Sequence, residues 1–159
     1  MKGPPLHATR IIAALTLAAA LTIPPAQSAT ASESDVQARI DQVIADYPGG
    51  VQTAPNEVSW GGGQVILTVV DPDAPTTRAV GSCATGTHCV YSGSNLTGSK
   101  LTFSTCTTQS VAPLGGPVRS IANARSSVAV RAYNDLGALG SVAANSWNNT
   151  SWTMTKIGC

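Results

Sequence analysis

The fold this chain predicts is an all-β sandwich preceded by a short α-helix and a β-hairpin, and three observations carry that expectation. Beyond residue 82, short β-branched runs recur every several positions, separated by glycine, proline and asparagine turns. The spacing Tyr91-x4-Leu96-x-Gly98 returns 42 positions later as Tyr133-x4-Ala138-x-Gly140, so the unit is duplicated. Four cysteines beside a single phenylalanine indicate a thin core reinforced by sulfur.

At the N-terminus Lys2 and Arg10 precede an apolar run, Ile11–Ile23, which Pro24-Pro25 breaks and small residues follow. This is the pattern of a secretory signal peptide over residues 1–29, with cleavage expected after Ser28, Ala29 or Ala31. The run is too short to span a bilayer, so the expectation is a secreted, extracellular protein with no membrane attachment after cleavage. In an exported chain the cysteines form disulfides. Of the three pairings possible, Cys83–Cys89 with Cys106–Cys159 is expected, because the first two are close in sequence and the second pair ties down the C-terminus. Loop-closure entropy gives about 2 kcal/mol for the small loop and about 4 kcal/mol for the large one. A thiolate metal site would need Cys-x2-Cys spacing or a set of histidines, and the sequence has neither.

Residues 32–70 read as helix plus hairpin. Val36, Ile40, Val43, Ile44 and Tyr47 form one apolar stripe at helical spacing. Ser34 and Gln37 make a capping box at the start, and Pro48-Gly49-Gly50 stops the helix. Val58-Ser-Trp60 and Gln64–Val69 flank Gly61-Gly-Gly63 as two strands of a hairpin. Such a unit is too small to fold alone. It is either an inhibitory or chaperoning pro-segment or a permanently attached accessory layer, and the second is expected. Residues 71–81, with Pro72 and Pro75 and no periodicity, form a linker to the β domain, residues 82–159. Candidate strands there are Cys89–Ser92, Lys100–Ser104, Val118–Ile121, Val128–Asn134 and Ser151–Ile157.

Charge is unevenly spread. Residues 32–81 hold seven acids against Arg39 and Arg78, whereas Lys100, Arg119, Arg125, Arg131 and Lys156 face Asp135 alone in the β domain. The asymmetry can dock one segment on the other or leave a basic face for an anionic partner. Basic residues do not cluster with aromatics, which argues against nucleic acid. Catalytic constellations are also missing. A Ser-His-Asp triad would have to use His88, expected as a solvated loop histidine, with Asp135. The β domain has no carboxylate pair for glycoside hydrolysis, no zinc ligand cluster and no phosphate loop. The chain therefore reads as a binding protein and not an enzyme.

Cys83–Gly98, with Ser120-Ile-Ala-Asn123 and Val128–Tyr133, resembles the secreted metalloproteinase-inhibitor family of actinobacteria, a branch of the βγ-crystallin superfamily. The resemblance covers Ser82–Tyr133 and implies a sandwich of two Greek keys. It also implies inhibition of an extracellular protease by a loop after the second tyrosine-bearing strand, which acts as a rigid, poorly cleaved substrate mimic. Position by position that loop falls at Asn134–Ser141, with Leu136, Gly137, Ala138 and Leu139 as the candidate reactive residues. The two leucines suit the large-aliphatic preference of thermolysin-like enzymes. Unlike the family's loop, this one is short, lacks cysteine and carries two glycines, which make it floppy. An alternative bait is Thr107–Pro117, with Val111, Pro113 and Leu114, anchored at Cys106. Crystallin-type calcium sites would map to Asn123 and Ser126, and to Ser146–Ser151. Neither stretch has a carboxylate, so no calcium and no other cofactor is expected. The rival readings are a non-inhibitory module binding cell-wall polymer or carbohydrate through Trp147, Trp152 and the basic face, and a small secreted toxin on the same scaffold.

Overall fold

The computed structural model describes residues 28–71 and 83–159. Apart from its last two positions the expected signal peptide lies outside the described residues, and so does the linker apart from Asp71. Helix α1 spans Ser28–Asp46. It therefore starts upstream of Ser34, and the expected capping box sits inside the helix, whose first residues include two alanines, the best helix formers. Its far end is where the sequence places it, in the turn at Pro48-Gly49-Gly50, with Gly49 at φ +88°.

Eleven short strands follow: β1 (Val51–Ala54), β2 (Glu57–Trp60), β3 (Val65–Thr68), β4 (His88–Tyr91), β5 (Lys100–Phe103), β6 (Gln109–Ser110), β7 (Ser120–Asn123), β8 (Val130–Asn134), β9 (Gly137–Val142), β10 (Ser146–Asn149) and β11 (Lys156–Gly158). They form a seven-stranded sheet in the order β1-β2-β3-β5-β4-β7-β10 and a four-stranded sheet in the order β6-β11-β8-β9. Every ladder is antiparallel. Among the described residues the protein is thus an all-β sandwich with one α-helix at its N-terminal side. Strands β4–β7 and β8–β11 are arranged alike. In each set the second, first and fourth strands lie side by side, and the third crosses to the other sheet.

The expected hairpin is β2–β3, turning through Gly61, Gly62 and Gly63, all at positive φ, a conformation that glycine adopts without a Cβ penalty. It does not stand alone. Strand β3 pairs with β5 over Val65–Phe103, Ile66–Thr102, Leu67–Leu101 and Thr68–Lys100, so the hairpin extends the large sheet. One inner row then runs Val58, Leu67, Leu101, Val90, Ile121 across five strands, and all five are buried. Ile40 and Val43 of α1 belong to the same core as Val130, Ala132, Val142 and Ile157 of the small sheet. The helix stripe covers the β2–β3 side of that inner face, and the small sheet covers the rest. The Trp60 indole donates to the Tyr47 carbonyl at 3.0 Å and fastens the helix end to β2.

Four strands depart from expectation. β1, β6 and β10 form where none is expected, and Gly137–Val142 is a strand instead of a loop. Of Ser151–Ile157 only the end is paired as a strand, β11, and Trp152 packs on the main core. The outer face of the large sheet carries a second, smaller core of Cys83, Cys89, Tyr91 and Ala122, with Leu96 and Ala124 against it.

Because helix and both sheets share one core, the described residues should unfold as a unit. Ile40→Ala is expected to cost about 2–4 kcal/mol and to lower the melting of the whole molecule. Far-UV circular dichroism and tryptophan fluorescence should give coincident transitions in that variant. Separate transitions would show that α1 is not part of the core.

Candidate functional site

Both disulfides are the expected pairs, Cys83–Cys89 and Cys106–Cys159, and no cysteine is left free. The first clips the segment before β4 to the strand itself. The second joins the segment after β5 to the C-terminus, where the Cys159 N–H also donates to the Cys106 carbonyl.

The strand arrangement places the first candidate loop at the β8–β9 connection. It is a tight turn, not the floppy loop its glycines indicated. Asn134 pairs with Gly137 and Tyr133 with Ala138, so the connection itself is only Asp135 and Leu136, with Leu139 bulged out of register next to Ala138. The Asn134 side chain holds those two in place, its Oδ1 accepting from the Leu136 N–H at 2.9 Å and from the Gly137 N–H at 3.1 Å. This is an asparagine turn in which the side chain replaces a missing backbone partner. Gly137 takes the one unusual conformation, φ +136°. Leu136 is 95% exposed, by far the most exposed large apolar side chain among the described residues. Gly137 and Ala138 are exposed at the start of β9, and Leu139 is half-buried against the main core. A Cβ on Gly140 would overlap the Trp152 indole, so the second glycine is there for packing and not for flexibility.

The alternative loop cannot serve as bait through the residues expected. Val111, Pro113 and Leu114 are buried. A 3-10 turn at Ala112–Leu114 tucks them into the main core, and the Val111 N–H donates to the Thr155 carbonyl. The Arg39 guanidinium of α1 occupies the space that a side chain on Gly115 would need. What stays exposed near Cys106 is polar, Ser104 and Cys106–Thr108.

His88 is not a solvated loop histidine. It lies in β4, fully buried, stacked on Phe103 with ring centroids 5.0 Å apart. Its Nδ1 accepts from Arg125 Nε at 3.3 Å, so the neighbour is a cation and not the carboxylate a triad requires. Asn123, a calcium candidate, is also buried. Its amide donates to the Val128 and Val142 carbonyls at 2.8 and 3.1 Å, and its oxygen accepts from the Arg125 N–H. The side chain thus ties the large sheet to β9, while Ser126 is exposed beside it. Trp147 is about half exposed at the edge strand β10 and borders an open groove of about 250 Å³ floored by Leu96, Ala122 and Ala124. Trp152 packs against the core, so the two indoles do not form one face.

The sequence expectation puts Asn134 at the start of this loop but does not foresee its side chain as the clamp. The signal was present in Asn134-Asp-Leu-Gly137, where an asparagine three before a glycine marks a side-chain-capped turn.

The buried histidine makes stability depend on pH. Burial, and secondly the Arg125 charge, lower its pKa from 6.5 to about 4. As pH falls the unfolded chain takes up the proton first. The contribution is complete above pH 6.5 and is lost on descending towards pH 4, about 3 kcal/mol in all. Thermal melts from pH 7.5 to 4 should show that decline, and His88→Gln should flatten it.

Neither the curated proteins nor the solved structures contain a match to this chain. Residues 76–145 match the family model of peptidase inhibitor family I36, a span that holds the Cys83–Cys89 loop, strands β4–β9 and the Asn134–Gly137 turn. Over that span the chain is similar to a family of peptidase inhibitors, not of enzymes, and the match supports a protease-inhibitor role with a protease as partner.

Proposed function

We propose that the protein is secreted and inhibits an extracellular metalloprotease by seating the β8–β9 turn in the enzyme's cleft, with Leu136 as the anchor. The observation that carries this reading is a fully presented leucine on a turn fixed by its own asparagine. Burying such a side chain in an apolar subsite is worth about 1.5–3 kcal/mol. Because Asn134 already orders the backbone, little of that gain is spent on entropy. The large-aliphatic side chain on the C-terminal side of the Asp135–Leu136 bond matches the preference of thermolysin-like enzymes, which favours a metalloprotease among possible targets. The exchange of third strands between the two sheets supports reading each set as a Greek key. The shared core supports residues 32–70 as a lasting layer of the inhibitor and not a removable pro-segment.

Titration against a panel of one thermolysin-type, one subtilisin-type and one trypsin-type enzyme tests the proposal. Stoichiometric loss of the thermolysin-type activity is expected. Leu136→Asp should weaken inhibition about 10–100-fold. The side chain touches almost nothing in the free protein, so the melting temperature should not move. Unchanged activity of all three enzymes, together with salt-sensitive sedimentation on peptidoglycan that Trp147→Ala abolishes, would favour the wall-binding reading instead.

A further inference from the structure

Resting on the site just described, we infer that Asn134 is the residue that keeps this chain an inhibitor and prevents it from being a substrate. The bond facing attack is Asp135–Leu136, and its nitrogen is the Leu136 N–H that donates to Asn134 Oδ1 at 2.9 Å. The next N–H on the same side, Gly137, donates to the same oxygen at 3.1 Å.

Three consequences follow. An extended peptide bound for hydrolysis offers its backbone N–H groups to the enzyme, as a strand does to a sheet edge. Here two of those groups are already taken within the inhibitor. Cleavage also needs the reacting atoms aligned at close range. The turn must open to reach that alignment, and opening breaks both hydrogen bonds. Finally, hydrolysis adds one water across the bond, with hydroxyl to the Asp135 carbonyl carbon and hydrogen to the Leu136 nitrogen. The new amino group would remain a donor to Asn134 Oδ1. The ladder from Val130–Val142 to Asn134–Gly137 holds the two strands together, so the new ends stay adjacent. Resynthesis, which expels the same water, is then an intramolecular step favoured by proximity. Asn134 is a positioning residue in this scheme. It acts through the Leu136 and Gly137 amides and need not touch the enzyme.

The test uses the full chain with a thermolysin-type metalloprotease and three variants, Asn134→Ala, Asn134→Asp and Leu136→Asp. Wild type should inhibit persistently. Asn134→Ala should inhibit at first and then lose effect as mass spectrometry detects cleavage between residues 135 and 136. The cleavage rate should rise at least about tenfold, equivalent to about 1.4 kcal/mol. Asn134→Asp keeps the acceptor oxygen and should resist cleavage like wild type. A residue that merely supported the fold would shift melting without separating cleavage from binding in this way. Amide exchange on the wild-type protein supplies a readout free of folding defects. The Leu136 and Gly137 N–H groups should be protected although the turn is exposed, and fast exchange at both would overturn the inference. So would an Asn134→Ala chain that stays uncut, or an Asn134→Asp chain cut as fast as it. If wild type inhibits and Leu136→Asp inhibits equally, the site itself is wrong and this inference falls with it. If Leu136→Asp loses inhibition while Asn134→Ala remains intact, only the role of Asn134 is lost.

Discussion

The pairing of β3 with β5 is the interaction on which the rest of this molecule depends. Four residue pairs, from Val65–Phe103 to Thr68–Lys100, turn an N-terminal hairpin that could not persist alone into the continuation of a sandwich sheet. The benefit runs in both directions. Without β3, strand β5 would be an open edge with unpaired backbone groups, a known route to aggregation. With it, the Leu67–Leu101 row is continuous, and α1 can lie over an apolar surface wide enough to justify its stripe. The Ser104 N–H carries the ladder one step further by donating to the Gln64 carbonyl, which steadies the backbone leading to Cys106. Charge follows the same geometry. Glu57, Thr68 and Lys100 occupy one row of the outer face; Thr68 donates to Glu57, and the Glu57 charge partly offsets the burial that lowers the Lys100 pKa. The acidic first segment and the basic second one thus meet along this seam.

The features legible in the sequence were those fixed by local spacing. Val36, Ile40, Val43 and Tyr47 could only make one helix face. Gly61-Gly-Gly63 could only be a turn, and the cysteine pairing followed from proximity and the free end of the chain. What escaped was decided by distant partners. Gly137-Ala-Leu-Gly-Ser-Val142 has two glycines and no aromatic residue, so it reads as loop. It is a strand because β8 pairs with it and because Trp152 needs the space above Gly140. Val111-Ala-Pro-Leu-Gly-Gly has turn composition, and composition does not show that α1 will cover it. His88 was misplaced for a similar reason. A histidine between a short disulfide loop and a strand is buried or solvated according to what stacks on it, and here that is Phe103, fifteen residues away in sequence.

The duplicated unit solves the same mechanical problem twice by different means. In the first copy the β4–β5 connection folds over the sheet. Ser120, fully buried, holds it there, donating to the Gly93 carbonyl and accepting from the Leu96 N–H. The second copy has no such fold-over: its strands pair up to a two-residue turn. It carries its own clamp in Asn134. A long loop held from outside hides its side chains against the sheet, and Leu96 is indeed half-buried on the small outer core. A short turn held from within leaves them in solvent. The two connections have the same spacing from tyrosine to glycine, so the exposure of Leu136 is a consequence of strand pairing that runs further into the second one, to Asn134–Gly137.

In the proposed mode of inhibition this contrast decides how the turn would gain affinity, because Asp135 and Leu136 offer a protease shape and burial and no catalytic group. Its affinity must come from apolar burial and from backbone already in place, because every flexible residue ordered on docking subtracts from the gain. An exposed leucine contributes little to folding, so placing it on the turn leaves the protein's stability almost untouched and reserves its burial for the partner. Pairing up to Asn134–Gly137 also removes the slack that would let the backbone extend along a cleft, which in the proposed mode opposes both wasteful ordering and cleavage. In that mode one structural feature, two residues between paired strands with an asparagine at their base, would serve both affinity and persistence.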